Sequence, residues 1–189
     1  MNDYHTALRS DNNRWPRLDR FKGIYGIAFQ ADINNGIPIA MHEADVWYSD
    51  IPWRDGYKKF SDRAGIEQIR PYTELLERLG REIMEISRPT VLITGKHAVR
   101  YLLPESTVKV ILNGSSAVAC LWGRFSFNGM LNTVDILKSL ACEYQCIGDF
   151  CCGYGRAGKI FAQAGKRYVM SDLNPECVGY IAAHERGWV

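Results

Sequence analysis

The sequence predicts an α/β protein: a doubly wound, mainly parallel sheet with helices on both faces and an antiparallel hairpin at one edge. Three observations lead there. Runs rich in β-branched and aromatic residues alternate with segments of helical period along most of the chain, the pattern of parallel strands joined by helical crossovers. A glycine-rich turn, "GDFCCGYGRAG" at 148–158, stands between one such strand and the helix that follows. Two further β-type runs, "STVKVILN" and "SAVACLWGRF", are separated by only a Gly-Ser turn, too short for a crossover, so they pair antiparallel.

Taken in order, residues 1–22 mix charge, Asn and Pro and read as an N-terminal arm. Residues 23–189 read as a single domain, with one half over about 23–130 and a second over about 131–189. "GIYGIAFQADI" and "EADVWYSDIPW" are strands that run up to Asp32 and Asp50. "PYTELLERLGREIMEISR" places Leu75, Leu76, Leu79, Ile83 and Ile86 at spacings of three and four, an amphipathic helix with a charged outer face. "PTVLITG" is a buried strand, the hairpin follows, and "TVDILKSLACEY" is a short helix. The chain then reads "QCIGDF" strand, glycine loop, "AGKIFAQAG" helix with a Gly stop, "KRYVMSD" strand, and a helix opened by Asn174 with Pro175 in its first turn.

Composition narrows the function classes. With 189 residues, 47% of them hydrophobic, the chain can bury one sizeable core. A net charge of +2 supplies no global field for a polyanion, so a nucleic-acid surface must be local. No apolar run approaches the ~18 residues of a membrane span and the first residues carry no apolar leader, so the expectation is a cytoplasmic protein without a membrane partner. The six cysteines form no C-x-x-C pair; they read as small buried side chains rather than as a metal site.

The glycine loop fits three ligands. Gly153 to Lys159 spell G-x-x-x-x-G-K, but Ile160 stands where a P-loop needs Ser or Thr to hold magnesium, and the triphosphate reading drops out. Gly153, Gly155 and Gly158 spell G-x-G-x-x-G, and Asp172, 19 positions after Gly153, suits a ribose, so a nicotinamide dinucleotide stays open. Too little chain follows Asp172 for the rest of a dinucleotide domain, so the remaining sheet must come from residues before the loop. S-adenosylmethionine fits better. Its ammonium and sulfonium suit the Asp149 carboxylate that starts the loop, Gly153 and Gly155 allow close backbone approach, and Asp172 can accept from both ribose hydroxyls.

Here the residues carry a family resemblance. "DIPW" at 50–53 resembles the D-P-P-(Y/F/W) motif of amino-group methyltransferases that act on nucleic acid, and "GDFCCGYGRAG" resembles their F-x-G-x-G loop, with Phe150 at its head. The motif order, acceptor motif first and cofactor loop last, looks like the permuted β class of DNA adenine-N6 methyltransferases, over roughly residues 24–186. The resemblance implies a Rossmann-like methyltransferase fold, S-adenosylmethionine as cofactor, and methyl transfer to adenine N6 in DNA. Cytosine N4 and RNA adenine stay open as acceptors, as does a non-catalytic nucleic-acid-binding subunit that keeps the fold.

The chemistry explains the residue types. The N6 lone pair is delocalised into the ring, and accepting hydrogen bonds from both N–H groups localises it; the Asp50 carboxylate and the Ile51 carbonyl can supply those acceptors. Trp53 would stack on an extruded base. Ile51 replaces the family's first proline and removes one fixed φ, while Pro52 still restricts its predecessor. The resemblance puts Asp32 near the cofactor adenine, though a turn Asp would look the same.

Residues 54–147 are consumed by core elements, which leaves no separate target-recognition domain and implies low or very short sequence specificity. Arg54, Lys58, Lys59 and Arg63 beside the acceptor motif, and Arg9, Arg14, Arg17 and Arg20 in the arm, are the expected phosphate contacts. Tyr57 and Phe60 interleave with the lysines, either in an acceptor loop that closes over a base or as that loop's apolar anchor. His97 reads as capping or packing. A compact chain of this kind suits a phage or prokaryotic source, and a homodimer stays open.

Overall fold

A computed structural model describes residues 15–65, 71–112, 114–127 and 131–188. Its strands are β1 (Arg20–Lys22), β2 (Gly26–Gln30), β3 (Val46–Asp50), β4 (Thr90–Thr94), β5 (Ser106–Leu112), β6 (Ser115–Trp122), β7 (Leu131–Asn132), β8 (Cys146–Asp149) and β9 (Arg167–Asp172). The helices are α1 (Arg54–Ala64), α2 (Tyr72–Ile86), the single-turn α3 (Val99–Leu102), α4 (Thr133–Glu143), α5 (Arg156–Gln163) and α6 (Pro175–His184). The strands form one sheet in the order β1-β2-β9-β8-β3-β4-β6-β5-β7. The five from β2 to β4 are mutually parallel, and β6 runs antiparallel to both β4 and β5.

The period of two along the central strands divides the core between the two faces of the sheet. Val46 and Tyr48 of β3, with Val91 and Ile93 of β4, face one cluster that holds Ile136, Leu137 and Leu140 of α4, Phe161 of α5 and Ile181 of α6. Trp47 and Leu92 face the other, with Leu75, Leu76, Leu79 and Ile83 of α2. Every residue of β4 is buried, as expected of a strand covered on both faces. The α2 stripe lies where the spacing put it, and Gly80 lets α2 press onto α3: a Cβ there would come within 2.4 Å of the Leu102 carbonyl oxygen.

Local signals hold at several ends. Asn174 accepts from the Glu176 N–H with Pro175 in the first helical turn, and Asn132 caps α4 by accepting from the Asp135 N–H. The β5–β6 hairpin turns at Gly114, whose φ of +81° suits only glycine. It is not the outermost pair, because β7 adds beyond β5.

Two segments differ from expectation. Residues 15–22 do not behave as a free arm: Arg20–Lys22 pair antiparallel with β2, the Leu18 N–H donates to the Pro175 carbonyl, and the Trp15 ring packs edge-on against Tyr180 and His184. Residues 54–64 are helix rather than an acceptor loop. Tyr57 and Ser61, four apart, are buried beneath that helix, and this tertiary burial organises a stretch that contains Gly56 and has no side-chain cap. Arg9 and Arg14 lie outside the described residues. No helix among the described residues is long and apolar enough to cross a membrane.

Candidate functional site

Chain direction reverses within the parallel part of the sheet. From β8 the chain passes through α5 to β9 on one side; from β3 it passes through α1 and α2 to β4 on the other. The crevice outside the carboxyl ends of β8 and β3 is therefore the topological switch point, where doubly wound sheets bind ligands. A cavity of about 310 Å³ lies there.

Four neighbouring strands each deliver one aspartate to this cavity: Asp32 just past β2, Asp172 at the end of β9, Asp149 at the end of β8 and Asp50 at the end of β3. Their surroundings differ. Asp32 Oδ1 accepts from both the backbone N–H and the side-chain amide of Asn34, at 2.8 and 2.9 Å, which is a turn-forming role. Asp172 accepts from the Gly153 N–H at 2.8 Å and the Asn174 N–H at 2.9 Å, so it braces the glycine loop. Asp149 Oδ1 accepts from the Ser49 hydroxyl at 3.1 Å and the Cys151 N–H at 3.2 Å.

Burial raises the proton affinity of three of these acids. It pushes Asp149 up to about 8, against the pull of its hydrogen bonds and with a further push from the charges of Asp172 and Asp50. Asp50 rises to about 6 for the same first reason, held back by the Arg156 guanidinium. Asp172 is raised by burial and opposed by the N–H groups it accepts from. A site that crowds carboxylates in this way favours a cation.

The glycine loop is built for close approach. Gly153 and Gly155 have φ of +50° and +75°, and a Cβ on Gly153 would meet nothing within 4 Å, because that position opens on the cavity. Gly155 is closed instead: a Cβ would lie 2.9 Å from Ile181 Cγ1 and 3.0 Å from Trp188 Cη2. Gly158 admits Met170, whose Cε would stand 2.4 Å from a Cβ, so the third glycine serves helix–strand packing. Phe150 lines the cavity and packs edge-on against Trp47. Cys151 and Cys152 also line it, but burial raises both thiols far above their ordinary value, which disfavours a thiolate nucleophile. Among the described residues no group of three or more His, Cys, Asp or Glu is placed to hold a metal ion.

The turn at 50–53 is placed in part at the cavity. Asp50 and Pro52 line it, and the Ile51 side chain, 2% exposed, is anchored in the core on the α2 side. Trp53 does not line the cavity. It is the N-cap of α1, and its ring packs with the core on the opposite face of the sheet. The aromatic residues that do line the cavity are Tyr48, Tyr57, Phe150 and Tyr154. Arg54, Lys58 and Lys59 are exposed on α1, with Arg54 and Lys58 one turn apart. Arg63 belongs to α1, with its side chain outside the described residues. Arg17 and Arg20 are exposed, and His97 is exposed beside Tyr72, away from the cavity lining.

Sequence reading passed over Arg156, Asn34 and Tyr72. Arg156 begins α5, lines the cavity and donates to the Thr133 hydroxyl; a lone cation directly after the glycine loop was its signal. Asn34 accepts from the Tyr57 hydroxyl at 2.5 Å, and Arg78 of α2 donates to the Ile33 and Asn34 carbonyls. These contacts hold the 33–35 wall of the cavity, and no local pattern announces them.

No protein-family model matches the chain, and no curated protein matches it. Solved structures do. M1.HpyAVI in complex with SAM superposes with a TM-score of 0.53 at 10% identity, over 85% of this chain and 98% of that one. M1.HpyAVI crystallised on its own gives 0.52 at 10% identity, over 84% and 97%. At this identity the likeness is one of fold, the Rossmann-like doubly wound sheet described above.

Proposed function

We propose that this chain transfers a methyl group from S-adenosylmethionine to the exocyclic N6 of adenine in DNA, with little sequence specificity. The observation that carries the proposal is the meeting of Asp50 and Asp149 in one cavity at the switch point, from adjacent strands that belong to the two halves of the chain. The order of the two motifs, acceptor turn at 50–53 before the glycine loop, is the order of the permuted β class.

The residues present fit the cofactor. Crowded carboxylates of raised proton affinity suit an ammonium and a sulfonium, whereas the pyrophosphate of a dinucleotide would meet repulsion from the same groups. The open space over Gly153 accepts a ligand against backbone. Asp149 would hold the ammonium through Oδ2, the oxygen that its Ser49 and Cys151 bonds leave aside, and Asp172 the ribose hydroxyls. The fold neighbour M1.HpyAVI was crystallised with SAM. When bound, S-adenosylmethionine supplies an electrophilic methyl group.

The chain's own residues do the rest. Asp50 and the Ile51 carbonyl accept from the two N–H groups of the base amine and turn its lone pair away from the ring. Among the described residues the Pro52 and Trp53 carbonyls are committed, to the Tyr72 hydroxyl and to the Gly56 and Tyr57 N–H groups, whereas no hydrogen bond takes the Ile51 carbonyl. An Asp50 held near 6 can also take the proton that the methylated amine sheds. Alignment of amine and methyl supplies the rate, with no covalent enzyme intermediate. Tyr48 or Tyr57 offers an aromatic face to the extruded base, in place of the Trp53 ring. The basic residues of α1 lie on the helix that also lines the cavity through Tyr57 and Ser61, a position that suits phosphates flanking the target.

The test is transfer of radiolabelled methyl from S-adenosylmethionine to unmethylated DNA, with RNA and Asp50→Ala in parallel, followed by digestion to nucleosides. Label in N6-methyladenine that vanishes with Asp50→Ala is expected. Label in N4-methylcytosine would correct the base, label on RNA alone would correct the polymer, and no label on either would sink the reaction.

A further inference from the structure

The acceptor turn departs from the D-P-P-W pattern at one position. A proline at 51 would fix φ there; Ile51 does not. The carbonyl that must face a base amine belongs to this same residue, so some other part of the molecule has to hold the turn.

That part is visible on α2. The Tyr72 hydroxyl, 20 residues further along the chain, donates to the Pro52 carbonyl at 2.8 Å. The peptide unit is a rigid plane, so a fixed Pro52 carbonyl fixes ψ of Pro52, while the pyrrolidine ring fixes its φ and confines Ile51 to extended backbone. The Ile51 side chain is locked in the core, and the Trp53 carbonyl is tied into the first turn of α1. Tyr72 itself is 8% exposed, with its ring tilted against Tyr57 at 5.5 Å and against His97 at 6.1 Å. Burial pushes its hydroxyl up to about 12, so the donor keeps its proton at neutral pH.

We infer that Tyr72 is a positioning residue: its hydroxyl clamps the Pro52 carbonyl and aims the Asp50–Ile51 acceptor pair, replacing the constraint that the missing proline would give. This rests on the proposed transfer reaction. Tyr72 does not line the cavity and acts only through the turn.

The experiment compares wild type with Tyr72→Phe, which keeps the ring and its packing and removes only the donor. With the donor lost, kcat should fall about fivefold, the rate equivalent of one neutral hydrogen bond, while the dissociation constant for S-adenosylmethionine, measured by calorimetry, stays within about twofold. Amide hydrogen exchange at Gly56 and Tyr57, the donors to the Trp53 carbonyl, should quicken while exchange in β8 and α5 is unchanged. Adding Ile51→Pro to Tyr72→Phe should recover kcat, because the proline restores the lost constraint. An active wild type with an equally active Tyr72→Phe would overturn the inference, as would a parallel fall in kcat and cofactor affinity, which signals a loosened fold. If wild type transfers no label at all, the reaction reading fails on its own, and unchanged exchange at Gly56 and Tyr57 would then refute the clamp independently.

Discussion

Replacing Asp50 by Asn should make the protein more stable at pH 8 and leave it unimproved near pH 4. The folded state raises the carboxyl of Asp50 from its ordinary 3.8 to about 6, chiefly by burial. Folded protein therefore binds this proton more tightly than unfolded chain, so wild-type stability falls as pH climbs from about 4 to about 6 and is level above that. Each pH unit of the rise is worth about 1.36 kcal/mol, so the ionised carboxylate costs about 3 kcal/mol at pH 8. Asn has nearly the same shape and no charge, and it also removes one of the charges that raise Asp149. For a chain of this size about 3 kcal/mol corresponds to a rise in Tm of roughly 6–12 °C. Thermal melts of both proteins at half-unit steps from pH 4 to 8.5 read the difference, in which most other titrating groups cancel. A Tm gap that does not change with pH, or that grows as pH falls, would refute the electrostatic account. The stabilised variant should be inactive in methyl transfer, since the amide offers donors where the base amine needs an acceptor.

Three further outcomes follow from the same geometry. With Asp149 near 8, a cationic ligand must first displace its proton, so affinity for S-adenosylmethionine should rise by up to about tenfold per pH unit towards pH 8 and then level; calorimetry in two buffers should show proton release, and Asp149→Asn should bind weakly with a flat profile. Gly153→Ala and Gly155→Ala should separate binding from folding. The first should lose cofactor affinity for a stability cost of about 1 kcal/mol from its positive φ, while the second, which drives a Cβ into Ile181 and Trp188, should cost about 2 kcal/mol or more in denaturant melts. Glu185 accepts from the Ile24 and Tyr25 N–H groups and from the Tyr168 hydroxyl; Glu185→Ala strands the buried Tyr168 hydroxyl and removes two part-buried bonds, and should lower stability by about 2 kcal/mol, with cofactor affinity unchanged well below the new Tm.

What was legible in the sequence was local. The α2 stripe, the Asn174–Pro175 helix start and the glycine loop carry their signals within a few residues, and each lies where those signals put it. Strand β1 was not legible, because "RFK" pairs only through its partner's register and is three residues long. Helix α1 was hidden by Gly56 and by the absence of a side-chain cap, since its stability comes from burying Tyr57 and Ser61. The place expected of Trp53 came from the resemblance of "DIPW" to a motif; in the structure Trp53 caps α1 and its half-buried ring packs against the cluster that holds Tyr48. The convergence of Asp32, Asp50, Asp149 and Asp172 belongs to the sheet order β2-β9-β8-β3, which no single segment encodes. Tyr72 and Arg78 reach Pro52 and Asn34 across 20 and 44 residues of chain, and their own surroundings carry no motif.

The same carboxylates weigh against a subunit that merely keeps the fold. A buried acid with raised proton affinity destabilises the folded state at neutral pH, and Asp149 and Asp50 both do so here. The Arg156 guanidinium tempers the rise at Asp50 without abolishing it. Asn at either position would relieve that cost. A cationic ligand would relieve it at Asp149 as well, because the ionised carboxylate gains a partner on binding. The folded chain thus carries a stability cost that a cationic ligand would offset, in the place where doubly wound sheets hold their ligands. On this account the thermal shift produced by S-adenosylmethionine should be larger at pH 8 than at pH 6, and should shrink in Asp149→Asn more than the loss of one hydrogen bond explains. A neutral or anionic nucleoside ligand would show no such pH dependence, and equal shifts at the two pH values would remove the electrostatic argument for a cationic cofactor.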